Sequence, residues 1–90
     1  MELDSQLEKE YARTVFAFKE LSVTDSQQAR ELYELVKSYY DDALHFYNKG
    51  LKLESFELFA YVWGLLDAGA RLGLFDPGAA RQHYKIEQHI

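Results

Sequence analysis

No cysteine occurs in the 90 residues, proline occurs once, glycine five times, and Lys and Arg together number 10 against 15 Asp and Glu. Each scarcity closes a class of explanation. Without thiols there is no disulfide framework, iron–sulfur cluster or thiolate zinc site, so packing alone must hold the fold, and a reducing cytoplasm is the natural setting. A formal net charge of −5 lacks the clustered cations that displace counterions from a nucleic-acid duplex, so no nucleic-acid partner is expected. Met1 to Glu10 is acidic and polar where a secretion leader would be basic and then apolar, so none is expected. No Gly/Ser- or Pro-rich linker, low-complexity run or repeat array divides the chain. At this length a protein buries about 60–65% of its unfolded surface, enough for one compact core. What is abundant is aromatic: one Trp, seven Tyr and six Phe, 16% of the sequence.

Apolar residues at three-to-four spacing predict an up-and-down three-helix bundle, all-α, with helices over about 5–21, 25–49 and 52–72 and a short C-terminal fourth helix. The first carries Leu7, Tyr11, Val15 and Phe18 on one face, and Ser5 with Glu8 has capping-box spacing. The second carries Ala29, Leu32, Val36, Tyr39 or Tyr40, Ala43 and Tyr47. Thr24 with Gln27 repeats the capping box at its start, and Gly50 is the expected left-handed stop.

The third helix is apolar on nearly every face. Between Ser55 and Phe75 only Glu57, Asp67 and Arg71 are charged. Those charges, three glycines and the lack of a basic flank argue against a membrane span, so no membrane is expected. A helix apolar all round is instead the central element of a bundle. Its stripe reads Phe56, Ala60, Trp63 and Ala70, and the small-residue row Ala60, Gly64 and Ala68 would admit a close neighbour. Gly73 is placed to end it. Residues 1–75 thus form the bundle domain. The tail, 76–90, opens on Asp76-Pro77, a cap and first-turn proline for a helix from Pro77 to about Gln88. Its thin apolar content predicts loose docking or capture by a neighbouring chain.

Two stretches carry a resemblance. They are Ser38-Tyr39-Tyr40-Asp41-Asp42-Ala43-Leu44-His45-Phe46 and the run from Ala60 through Trp63-Gly64-Leu65-Leu66-Asp67-Ala68-Gly69-Ala70-Arg71 to Phe75. Over roughly residues 27–75 the chain resembles the archaeal family known as domain of unknown function 357. The family pattern has a tyrosine pair before Asp-Ala, an aromatic, a Lys-Gly turn, and a helix ending in a Trp-Leu-Asp-Ala-Gly type run. Leu65 and Leu66 depart slightly from the usual order. The resemblance implies a small up-and-down helical bundle from an archaeon and supplies no activity. A single tetratricopeptide-like hairpin around Phe46, Tyr47, Gly50, Ser55, Phe59 and Val62 is shared helix-hairpin physics, since one repeat has no neighbour on which to bury its face.

Among residues that could carry chemistry, Asp67 stands out, because it falls on an apolar stripe and a buried carboxylate needs a partner. Folding the second and third helices about Leu51 sets Asp67 and Asp42 about 10 Å apart along the bundle, too far for a carboxylate dyad. The favoured expectation is structural: Asp67 pairs with Arg71 one turn on, or with the phenol of Tyr11 or Tyr33, and Glu31 joins an ionic cluster. The alternative is a pocket between helices, walled by Trp63, Tyr39 and Tyr40 and gripped by Asp67 and Arg71, that holds a polar metabolite or supports an enzyme. Asp42 is expected at a boundary, bonded to a tyrosine, and His45 on the solvated face. His83, Glu87 and His89 lack metal-site spacing, so no metal or other cofactor is expected. No Gly-x-Ser-x-Gly elbow or phosphate-binding glycine loop is present.

Nine aromatics (Tyr33, Tyr39, Tyr40, Phe46, Tyr47, Phe56, Phe59, Tyr61 and Trp63) lie on several faces of two helices. The expectation is therefore a core plus leftover apolar surface, the signature of a non-catalytic module that associates with itself or a protein partner.

Overall fold

The three apolar periodicities fold as three long helices: α1 (Leu3–Glu20), α2 (Gln27–Asn48) and α3 (Lys52–Arg71). The computed structural model describes residues 2–85 of the chain. Both glycine stops form, with φ of +79° at Gly50 and +75° at Gly73. At the α2 end the Leu51 N–H reaches back to the Phe46 carbonyl at 3.0 Å, satisfying a carbonyl that the last turn leaves open.

The helix starts differ from the capping boxes read in the sequence. Helix α1 opens from Glu2, three residues before the expected cap, so Ser5 lies inside its first turn. Helix α2 is capped by Ser26, whose Oγ accepts the Ala29 N–H at 3.1 Å. Thr24 is committed elsewhere: its N–H donates to the Leu74 carbonyl at 2.9 Å. That bond continues a two-stranded antiparallel ribbon, β1 (Ser22–Val23) with β2 (Phe75–Asp76), in which Ser22 faces Asp76 and Val23 faces Phe75.

Helix α3 lies against both α2 and α1, while the backbones of α1 and α2 stand apart. Side chains bridge that wider gap. Tyr11 stacks on Tyr47 with centroids 4.2 Å apart, Phe18 stacks on Tyr40 at 3.9 Å, and Phe59 of α3 meets both rings of the first pair edge-on. The Tyr47 hydroxyl donates to the Glu8 carboxylate at 2.8 Å. The buried stripe of α3 is Phe59, Val62, Trp63, Leu66 and Gly69, rotated from the one expected. Phe56 and Ala70 are half-buried and Ala60 is exposed. The small-residue row Ala60, Gly64 and Ala68 thus faces solvent and admits no helix of this bundle.

The tail is firmly docked, against expectation, as far as it is described. A 3₁₀ helix spans Gly78–His83, and Pro77, Ala80 and Tyr84 are buried with Phe75 in the same core. Gly69 makes room for it: a Cβ there would sit 2.3 Å from the Phe75 ring. The expected continuation to Gln88 lies outside the described residues. No helix among the described residues is long and apolar enough to cross a membrane.

Candidate functional site

Trp63 is the centre of the α1–α3 contact. Its indole N–H donates to Thr14 Oγ1 at 2.8 Å, and the Thr14 hydroxyl donates in turn to the Glu10 carbonyl. The Arg13 guanidinium lies 4.2 Å from the ring centroid, a cation–π contact. Arg13 is held there by the Glu10 carboxylate at 2.9 Å and by the His83 carbonyl at 3.2 Å. Tyr84 meets the indole edge-on at 5.0 Å. Trp63 is thus clamped by protein groups on several sides. Sequence reading missed Arg13 and Thr14, although a threonine three residues after Tyr11 and four before Phe18 on the apolar face was a signal that a buried donor needed an acceptor.

Asp67 and Arg71 do converge, on the backbone of the tail. Asp67 Oδ1 accepts the Lys85 N–H at 3.1 Å and Arg71 Nη2 donates to the Lys85 carbonyl at 3.2 Å. The expected ionic cluster with Glu31 gives way to this two-point strap. The ion pairs joining described residues lie elsewhere, at Arg13–Glu10, Arg30–Asp25, Lys37–Asp41 and Lys52–Asp4. Beside the strap, the Tyr84 hydroxyl is buried with no hydrogen-bond partner among the described residues. Burial first, then the negative charges of Asp67 and Asp76, push its phenol up to about 12.

The remaining residues of the expected pocket are dispersed. Tyr40 is stacked on Phe18, and burial raises its phenol above the ordinary value. Tyr39 packs edge-on against Tyr61 at 4.8 Å. Asp42 and His45 are exposed, so Asp42 is solvated where a boundary position was expected. Two surface grooves, of about 460 Å³ beside Glu8, Tyr47 and Lys52 and about 480 Å³ beside Arg13, Phe16 and His83, lie away from Asp67 and Arg71. Among the described residues no group of three or more metal-ligating side chains comes together.

The outer face of α3 offers the other arrangement. Of the nine aromatics on α2 and α3 only Tyr61 is exposed. Exposed large apolar side chains occur on α1 (Phe16), on α2 (Leu35) and at the α2–α3 turn (Leu51), and the three most exposed are Leu53 and Tyr61 on α3 and Leu72 at its C-cap, at 56%, 50% and 68%. Between them Ala60, Gly64 and Ala68 are also exposed. Gly64 is unexplained by the monomer: its φ is not positive and a Cβ would meet nothing within 4 Å. A glycine inside a helix costs about 1 kcal/mol relative to alanine, yet nothing in the bundle requires one here.

These features define a small all-α protein, a three-helix bundle whose third helix leaves apolar residues exposed on its outer face. The family model of proteins of unknown function DUF357 matches residues 5–75, and the chain belongs to that family. The match reaches further toward the N-terminus than the residues that carried the resemblance, taking in nearly all of α1. No curated protein and no solved structure matches the chain.

Proposed function

We propose that this protein is a non-catalytic helical interaction module that works through the outer face of α3, in the cytoplasm of an archaeon. The carrying observation is that the three most exposed large apolar side chains, Leu53 and Tyr61 on α3 and Leu72 at its C-cap, belong to a helix whose other faces already build the core. An apolar helix face flanked by few charges gains free energy by leaving water, and an aromatic at its centre is the residue type that interfaces favour. The absence of cysteine fits a reducing compartment, and the archaeal source is the one implied by the resemblance.

The test is site-specific photo-cross-linking in the native cell, with the photoreactive residue at Tyr61 on this face or at His45 on the solvated side of α2. Discrete adducts from position 61 and none from position 45 support the module. Absent adducts, or equal diffuse labelling from both positions, remove it.

A further inference from the structure

We propose that the outer face of α3 pairs with α3 of a second copy of this chain, antiparallel, about a two-fold axis passing beside Gly64. The inference rests on the interaction reading above and names the partner.

The argument is the internal symmetry of the face. At 100° per residue, Glu57, Ala60, Gly64, Ala68 and Arg71 fall within an arc of about 80°. Among these five residues the order of chemistry is the same read from either end, except that the charges are opposite. Glu57 stands seven residues before Gly64 and Arg71 seven after it, while Ala60 and Ala68 stand four to either side. An antiparallel copy centred on Gly64 therefore sets each Glu57 carboxylate at the height of the partner's Arg71, about 10 Å from the axis on both sides. A parallel copy in register would instead set Glu57 against Glu57. A two-fold interface must be self-complementary, and this face meets that condition.

Two further observations agree. The backbone at Gly64 is open to close approach, with no neighbour within 4 Å of a built Cβ, so the bundle itself makes no use of the missing side chain. Arg71 is partly restrained by its bond to the Lys85 carbonyl, yet remains exposed, so one N–H is spent on the tail while the head stays at the surface. Its charge is thereby held near the face rather than free to swing.

Sedimentation equilibrium of the purified chain from micromolar to millimolar concentration tests the pairing. The wild type is expected to dimerise. Glu57→Arg is expected to weaken the dimer at least about tenfold by setting like charges against each other, and Glu57→Arg with Arg71→Glu to restore it. Because Arg71 also holds the tail, Gly64→Leu provides a second route. Its Cβ meets open space in the bundle while its bulk blocks close approach of a second helix, so it should return the chain to monomers with its circular-dichroism melt retained. A wild type that stays monomeric throughout, or a dimer that survives both Glu57→Arg and Gly64→Leu, overturns the inference. Monomers together with discrete cross-links of another mass from position 61 would leave the interaction reading standing with a different partner. Monomers without any such cross-link would remove both.

Discussion

Trp63 and Thr14, 49 residues apart, join α3 to α1 through a buried 2.8 Å hydrogen bond in which the indole N–H donates and the hydroxyl accepts. The hydroxyl also donates to the Glu10 carbonyl, so one small side chain satisfies a distant ring and its own helix.

Thr14→Val keeps the shape and removes the acceptor. The orphaned indole donor should lower stability by about 1–3 kcal/mol. In a chain of this size each kcal/mol corresponds to roughly 4–8 °C of melting temperature. Thr14→Ser, which keeps the oxygen, should lose less. Thermal unfolding followed by the fluorescence of Trp63, the only tryptophan, measures both. Equal melting of Thr14→Val and wild type would show that the bond contributes nothing.

The same substitution at two glycines of α3 should act in opposite directions. Gly69→Ala drives a methyl group into the Phe75 ring, 2.3 Å away, and must displace β2 or the ring at a cost of about 1–3 kcal/mol. Gly64→Ala meets open space and gains helix propensity of up to about 1 kcal/mol. Denaturant midpoints in dilute protein, where any self-association is absent, give the two signs. A loss at both positions would refute the packing described for α3.

Tyr84 makes stability sensitive to alkali. Its folded phenol is raised to about 12 from an unfolded value of 10.0, so the unfolded chain releases the proton first. The stabilisation associated with the neutral buried phenol is complete below pH 10 and declines as pH climbs through 10 toward 12. Tyr84→Phe keeps the edge contact with Trp63 and removes the ionisable group. It should flatten that part of the pH profile and leave neutral-pH stability unchanged or slightly improved, because the hydroxyl it deletes has no hydrogen-bond partner among the described residues. An unchanged alkaline slope in the variant would place the titration elsewhere.

The strap on Lys85 should be separable from the core. Asp67→Ala removes the acceptor of the Lys85 N–H, while Asp67→Asn preserves a carbonyl oxygen at the same place. Hydrogen exchange at the Lys85 amide should accelerate in the alanine variant and change little in the asparagine one, with global melting altered by less than about 1 kcal/mol because the site is partly exposed. Fast exchange at Lys85 in the wild type would contradict the strap.

The existence of the three helices and their stops was legible because it rests on short-range periodicity and on Gly50 and Gly73, residues that tolerate positive φ. The rotation of α3 was not. A helix apolar on every side has no polar face to set the contrast, so Ala60 and Phe59 compete equally for the core until the neighbouring helices decide. A ribbon of two residues per strand cannot show alternation, so Ser22–Val23 and Phe75–Asp76 were invisible, and with them the reason that Ser26 rather than Thr24 caps α2. The tail looked thin because Ala80 and Tyr84 are small in number. Tyr84 packs on Trp63, which sits far back in the sequence. Of the expected site, Asp67 and Arg71 were expected to pair with each other, but both bond to the main chain of Lys85, a partner that no side-chain pattern reveals.

The stacked rings between α1 and α2 set a length as well as filling a space. Two ring planes at van der Waals separation fix how far apart those helices stand, much as a spacer fixes the gap between plates, and aliphatic residues of equal volume would not hold the same span. The wedge this creates is what leaves α3 with neighbours on two sides and an open third. The high aromatic content and the uncovered helix are on this view one architectural decision, made at Tyr11, Tyr47, Phe18 and Tyr40 and visible on the opposite side of the molecule.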